Sequence, residues 1–153
     1  MKVLESAISK NGQKIELLGN ENHKKTLVIG VFHGDEPQGQ FLIDNYLKKN
    51  DSSLLFIPCL NPDGMQLGQR TNANGVDLNR NFPTKNWGEN HGDNATCDDE
   101  KSAYYGGISG GSEIETQFLI DTIIEMLCNI SLFFGSAQMV NQILTNLINN
   151  AVF

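Results

Sequence analysis

The chain has 153 residues, 39% of them hydrophobic, which is enough to form one domain with a buried core. Its net charge of −7 argues against nucleic acid or an anionic membrane as a partner, because both recruit basic surfaces. No apolar run reaches the ~18 residues of a membrane span, and residues 1–10 lack the apolar stretch of a signal peptide. We therefore expect one cytoplasmic domain over residues 1–153.

The first third of the chain predicts a hairpin followed by a βαβ unit. Strand-like runs at 3–9 and 13–18 flank an Asn-Gly pair, which is a strong hairpin signal. A continuous apolar strand at 26–32, a helix and a second strand at 53–57 follow. This arrangement places both strand ends at one edge of the sheet, where open α/β sheets bind ligands. The helix has apolar residues at helical spacing, namely Phe41, Leu42, Tyr46 and Leu47.

The last third of the chain predicts helices around one more strand. The glycine-rich residues 106–111 lack the ending of a phosphate-binding loop, so we expect a flexible approach to the next helix. Ser112 and Glu115 fit a capping box that starts this helix. Residues 130–134 are typical of a buried strand, and residues 136–150 of an amphipathic helix. The predicted fold is α/β, a mixed sheet with parallel central strands and flanking helices.

A long segment at residues 61–83 is the first candidate functional region. Connections of this length in a compact domain are usually functional or disordered, and its interspersed apolar residues argue against disorder. It opens with Asn-Pro-Asp-Gly, which predicts a turn. Three side-chain donors suited to a carboxylate or a developing oxyanion follow, namely Arg70, Asn79 and Arg80.

The second candidate region is the turn after the strand at 26–32. His33 and Glu36 form a His-x-x-Glu spacing, which places an imidazole and a carboxylate where both can reach one Zn²⁺ at about 2.0 to 2.2 Å. The alternative is a structural turn, with a satisfied imidazole and an acid that starts the next helix. The three cysteines are far apart and form no Cys-x-x-Cys pattern, so we expect buried thiols in a reducing compartment.

Together the two regions resemble the zinc carboxypeptidase family, the carboxypeptidase A-like metallopeptidases. The later Gly-Ser-Glu-Ile-Glu-Thr run is most similar to the small bacterial branch that trims murein peptides at a γ-D-glutamyl-diaminopimelate bond. The resemblance covers roughly residues 24–125 and is lost over 129–153. Its motifs lie at residues 33–36, 61–64, 70, 75–82 and 111–116.

The resemblance implies a zinc ion with His33 and Glu36 as ligands. Asp77 would orient the His33 imidazole, although an Asp in a turn also caps local backbone. The family's third ligand is a histidine expected near residues 133–136, where the sequence has none. His91 stays open as a surface residue, a substitute ligand or a substrate contact. No glutamate matching the family's general base is recognised either.

The resemblance also implies roles for the donors of the long segment. Arg70 would be catalytic, polarising the scissile carbonyl and binding its oxyanion, while Asn79 and Arg80 would bind the terminal carboxylate of a small peptide or murein peptide. The expected function is zinc-dependent hydrolysis of an amide bond next to a free carboxylate. Because the third ligand and the base are missing, we expect a truncated or frame-shifted member with little activity. Alternatives are a non-catalytic module that binds peptide carboxylates and an N-acyl amino acid deacylase; the oligomeric state is left open.

Overall fold

The computed structural model describes residues 1–20, 26–49, 53–85, 87 and 104–134, the last eight of these by their backbone. Its helices are α1 (Gln38–Leu47), α2 (Pro62–Leu67) and α3 (Ile114–Phe134), with one 3-10 turn at Leu78–Arg80. Its strands are β1 (Lys2–Ile8), β2 (Lys14–Gly19), β3 (Leu27–Ile29) and β4 (Leu55–Ile57).

The described strands form one mixed sheet in the order β1-β2-β4-β3. The β1–β2 and β2–β4 pairs are antiparallel, and β3 and β4 are parallel. The predicted hairpin and the predicted mixed α/β fold are confirmed. Both β3 and β4 are shorter than expected: β3 ends three residues early, because the chain leaves regular pairing before it reaches His33, and β4 begins two residues late.

The core lies between the sheet and α3 and includes residues of the long segment. Leu78 and Phe82 are buried against side chains of β2, β4 and α3. Burying such a side chain contributes about 1.5–3 kcal/mol. The segment is therefore held by the core rather than resting on the surface. The buried cluster consists of Ile15, Leu17, Leu55, Ile57, Leu60, Leu78, Phe82, Phe118 and Leu119.

The predicted apolar face of α1 is wrong. Phe41 and Leu42 are 63% and 71% exposed, and the buried residue of this helix is Ile43. The reason is a close approach to the strand end, since a Cβ on Gly39 would lie 3.0 Å from the Cα of Gly30. Residues four apart share a helix face, so this contact turns Ile43 inward with Gly39 and leaves its neighbours facing outward.

The predictions for the C-terminal third are partly wrong. Residues 130–134 continue α3 rather than forming a strand, because a short apolar run fits either element and here the helix propagates through it. The capping box is also wrong, since the Ser112 hydroxyl donates to Glu113 and the Glu115 carboxylate accepts from Asn72. The helix predicted at 136–150 lies outside the described residues. Among the described helices, none has the length and apolarity needed to cross a membrane.

Candidate metal and carboxylate-binding site

The end of β3 carries the chain to His33. Beyond the paired strands the backbone contact continues, with the amides of Leu60 and Asn61 donating to the carbonyls of Gly30 and Val31, both at 3.0 Å. Val31 has a φ of 49°, a conformation that a β-branched residue adopts only under constraint. The chain therefore turns sharply here and presents His33 beside the start of the long segment.

That segment begins with a helix, so the turn predicted for Asn-Pro-Asp-Gly is wrong. Asn61 caps α2 by accepting from the amide of Gly64 at 2.9 Å, and Pro62 occupies the first helical position. The helix ends at Gly68, which has a φ of 64°. The motif is thus a helix start rather than an isolated turn.

Asp77 connects the two predicted regions. Its Oδ1 lies 3.3 Å from Nε2 of His33, and its Oδ2 accepts from Nε of Arg70 at 2.9 Å. Its Oδ1 also accepts from the backbone amide of Asn79 at 2.9 Å, so Asp77 contacts the imidazole and caps local backbone at once. On the other side of the imidazole, Nδ1 lies 3.5 Å from Oε1 of Glu36. One buried carboxylate therefore holds both the imidazole and a guanidinium.

The spacing of His33 and Glu36 suits one shared zinc ion. Two tetrahedral ligand atoms, each about 2.0 to 2.1 Å from zinc, lie about 3.4 Å apart, and the observed separation of Nδ1 and Oε1 is 3.5 Å. The Glu36 side chain is 62% exposed, which leaves this side of the pair accessible. A neutral imidazole that donates from Nε2 to a carboxylate keeps its Nδ1 lone pair for a metal. The two donors fit two positions of a zinc site.

A third ligand is not identified. Within the described ranges, no three His, Cys, Asp or Glu side chains form a group that could hold a metal ion. His23, His91 and Cys97 lie outside those ranges, so the open question about His91 stays a prediction.

The guanidinium groups of Arg70 and Arg80 both approach the ring of Tyr104. Their Cζ atoms lie 5.3 Å and 5.8 Å from the centre of the Tyr104 ring. Arg80 donates from Nη1 to the carbonyl of Asn79 at 3.2 Å, while its buried Nε has no hydrogen-bond partner. A buried, charged donor without a partner is costly, so this Nε is suited to an incoming anion.

Asn81 joins the long segment to the glycine-rich residues before α3. Its side-chain nitrogen donates to the carbonyls of Gly106 at 2.8 Å and Ser109 at 3.1 Å, and to the hydroxyl of Ser112 at 3.0 Å. Its side-chain oxygen accepts from the amide of Glu113 at 3.2 Å. The expected flexible approach to α3 is therefore wrong, since this one buried amide binds it at four points.

Asn72 forms a second buried anchor between the segment and α3. Its side-chain nitrogen donates to carboxylate oxygens of Glu113 at 2.8 Å and Glu115 at 3.2 Å. Its side-chain oxygen accepts from the amides of Asn74 and Val76. Burial raises the pKa of Glu115, whose Oε1 has no hydrogen-bond partner.

The β1–β2 hairpin braces the start of α2. The fully buried carboxylate of Asp63 accepts from the Ser9 hydroxyl at 2.7 Å and from the Asn11 amide at 3.0 Å. Lys10 also donates from Nζ to the side-chain oxygen of Asn74. The hairpin thus fixes the first turn of α2 through the Asp63 carboxylate.

The sequence predicted the candidate metal and substrate side chains and the contact of Asp77 with His33, but not the other residues that contact or anchor this region. Tyr104, Asn72 and Asn81 carry no periodic or spacing signal that distinguishes them from other polar or aromatic residues of the chain. The density of asparagines in the long segment was the one available hint, because buried amides can satisfy several backbone groups at once.

A mixed α/β sheet with a His-x-x-Glu turn and an arginine-bearing loop side by side is the arrangement of a zinc peptidase domain. The sequence profile of the zinc carboxypeptidase family matches residues 2–141, and the chain belongs to this family. The resemblance recognised from the motifs is thereby confirmed, over a longer range than the motifs themselves cover.

The similar proteins include bacterial amidases. Murein peptide amidase A of Escherichia coli K12 is 41% identical over 103 residues, which cover 63% of this chain and 43% of that protein. The Vibrio campbellii protein of that name is 43% identical over 75 residues, covering 47% of this chain and 30% of that protein. The chain thus spans less than half the length of these relatives.

Solved structures agree on the fold. Murein-tripeptide amidase from Escherichia coli O157 superposes with a TM-score of 0.64 at 32% identity, over 78% of this chain and 54% of that one. Carboxypeptidase A of Helicoverpa armigera superposes with a TM-score of 0.56 at 24% identity, over 81% of this chain and 38% of that one. This similarity supports the fold alone.

Proposed function

We propose that this chain carries the metal-binding turn and the carboxylate-binding loop of a zinc-dependent hydrolase that cleaves an amide bond next to a free carboxylate. The observation that supports this most is the position of His33 between Glu36 and Asp77, with Arg70 on the other oxygen of Asp77. A structural turn would not need a buried carboxylate to orient its imidazole towards an exposed acid.

In this proposal His33 and Glu36 hold the zinc ion, and Asp77 orients the imidazole. When bound, the metal would polarise a carbonyl and lower the pKa of a water molecule. Arg70 donates to the developing oxyanion, and its orientation follows from its bond to Asp77. The two functions are coupled because one carboxylate sets both side chains.

Arg80 and Asn79 bind the substrate's terminal carboxylate. The Nε of Arg80, buried and without a partner, supports this role, because an arginine can bind a carboxylate through two parallel N–H groups. The proposed substrate is a small peptide, with the γ-D-glutamyl-diaminopimelate bond of murein peptides favoured by the amidases that the chain is similar to. Widely spaced cysteines suit a reducing compartment such as the cytoplasm.

We further propose that the 153 residues by themselves have little peptidase activity. They supply two recognised metal ligands, whereas a hydrolytic zinc site normally has three and also needs a group to accept the proton of the attacking water. The same residues could still bind product-like peptides. A non-catalytic carboxylate-binding role is therefore the second candidate, and the unpartnered Nε of Arg80 favours it as much as it favours the enzyme.

Zinc affinity and peptide binding, measured separately, test the proposal. Competition with a chromogenic chelator should show that His33→Gln loses zinc binding and that Asp77→Asn weakens it about 10–100-fold. Asp35→Asn is the matched control, because it removes an exposed carboxylate from the same turn. Equal zinc affinity in the wild type and His33→Gln would refute the metal site.

Calorimetry with the murein tripeptide L-Ala-γ-D-Glu-diaminopimelate tests the loop. The wild type should bind it and Arg80→Ala should not, while product analysis with excess zinc should show no turnover at an ordinary enzymatic rate. Turnover would contradict the low-activity proposal and leave the binding roles intact. Binding without turnover agrees with either candidate for the 153 residues. Binding that survives Arg80→Ala would reject the proposed role of Arg80 in binding the terminal carboxylate.

A further inference from the structure

Both arginines of the sequence lie beside one aromatic ring. The chain contains two arginines, Arg70 and Arg80, and their Cζ atoms lie 5.3 Å and 5.8 Å from the centre of the Tyr104 ring. Both distances fall within the ~6 Å over which a guanidinium is attracted to the face of an aromatic side chain. Tyr104 is 36% exposed, so the ring lies at the mouth of the site rather than in the core.

Each guanidinium has a separate hydrogen bond of its own. Arg70 is bonded through Nε to Asp77, and Arg80 through Nη1 to the carbonyl of Asn79. A single hydrogen bond fixes the direction of one N–H group, but the guanidinium plane can still rotate about that bond. Two cations beside one ring also repel each other, whereas the negative face of the ring attracts both.

We propose that Tyr104 is a positioning residue that fixes the two guanidiniums relative to each other, so that both can reach one carboxylate-bearing peptide. The proposal rests on the substrate roles of Arg70 and Arg80 given above. The new element is that the relative placement of the two arginines depends on the ring of Tyr104. This residue lies 24 residues after Arg80, on the segment that leads to α3. The ring, rather than its hydroxyl, carries this role.

The first test observes the arginines without any ligand. Because the chain has two arginines, its ¹H–¹⁵N spectrum should contain two Nε–Hε signals, which Arg70→Lys and Arg80→Lys assign. Tyr104→Leu should move both signals by removing the ring current, while Tyr104→Phe should leave both near their wild-type positions. Tyr46→Leu is the matched control, since it removes a part-exposed tyrosine from α1.

The second test measures tripeptide binding by calorimetry on the same variants. Tyr104→Leu should raise the Kd about tenfold, which corresponds to about 1.4 kcal/mol, while Tyr104→Phe and Tyr46→Leu should stay within about twofold. The free energy of unfolding should be unchanged in Tyr104→Leu, because a purely structural tyrosine would lower stability instead.

The outcomes separate this inference from the proposed function. Unmoved arginine signals in Tyr104→Leu, or a Tyr104→Phe variant that loses as much affinity as Tyr104→Leu, overturn the positioning role. If the wild type does not bind the tripeptide, the proposed function fails, and the arginine signals alone then decide whether Tyr104 positions the pair. If the wild type binds and Tyr104→Leu binds equally well, the inference fails and the proposed function stands.

Discussion

Gly34 and Gly64 pack backbone against backbone where the two candidate regions meet. A Cβ on Gly34 would lie 2.0 Å from the carbonyl carbon of Gly64, and one on Gly64 would lie 2.4 Å from the carbonyl oxygen of Thr71. The Gly34 amide also donates to the carbonyl of Arg70 at 3.4 Å. The turn that carries His33 and the segment that carries Arg70 are thus held together by a contact that admits no side chain.

Gly34→Ala should therefore destabilise the protein by about 3 kcal/mol, because the obstructing atoms are backbone that cannot rotate away. Urea unfolding measures this. The control is Gly12→Ala in the hairpin turn, where φ is 83° and a Cβ meets nothing within 4 Å, so that the cost is only the conformational one of about 1 kcal/mol. Equal losses in the two variants would contradict the packing argument.

Asn81→Asp should cost about 3 kcal/mol or more. The replacement has nearly the same shape, but a carboxylate cannot donate to the carbonyls of Gly106 and Ser109. The buried Gly106 carbonyl then keeps only its longer bond from Trp87 at 3.2 Å, and both carbonyls face a negative charge. Asn79→Asp makes the same chemical change two residues earlier, at a half-buried position, and should cost less than about 1 kcal/mol. Thermal or urea unfolding compares the two, and similar losses would show that Asn81 is no anchor.

Glu115→Gln should stabilise the protein at pH 7 but not at pH 4. Burial raises the pKa of Glu115 above its ordinary 4.5, so the carboxyl group ionises at a lower pH in the unfolded state than in the folded state. The free energy of unfolding therefore falls as the pH rises from the unfolded pKa through the folded pKa. A neutral glutamine avoids this loss and can still accept from Asn72. Unfolding curves at both pH values, with Asp35→Asn as an exposed control, test it. A gain in stability of Glu115→Gln that is the same at pH 4 and pH 7 would contradict a raised pKa of Glu115.

Cys59 should resist alkylation in the folded protein. Burial raises the pKa of its thiol from 9.0 to about 12, and the thiolate is the reactive form. The thiolate fraction at pH 8 is then about 1,000-fold lower than in the unfolded chain. Peptide mass spectrometry after iodoacetamide treatment, with and without urea, follows Cys59 separately from the other cysteines. Rapid labelling without urea would show that the thiol is not protected.

The hairpin illustrates what local patterns predict well. An Asn-Gly pair between alternating strands specifies its own turn, so β1 and β2 follow the prediction closely. The start of α2 shows the opposite case, because Asn-Pro-Asp-Gly suits both a turn and a capped helix. The difference was decided by Asp63, whose carboxylate is satisfied by the distant Ser9 and Asn11.

The sequence by itself determined which side chains are available for chemistry: His33 and Glu36 on one turn, and Arg70 and Arg80 on one segment. Their types and spacing follow directly from the order of the residues, and they sufficed to recognise the family.

The tertiary structure alone decided how those side chains are held. Asp77 reaches His33 across 44 residues, and Tyr104 reaches Arg70 across 34. Such contacts form because buried polar groups must find partners and glycines allow backbones to approach closely, and both conditions depend on segments far apart in the chain. Periodicity predicts which face of a helix is apolar, but the exposed Phe41 and the buried Ile43 show that packing against a neighbour decides which face is buried.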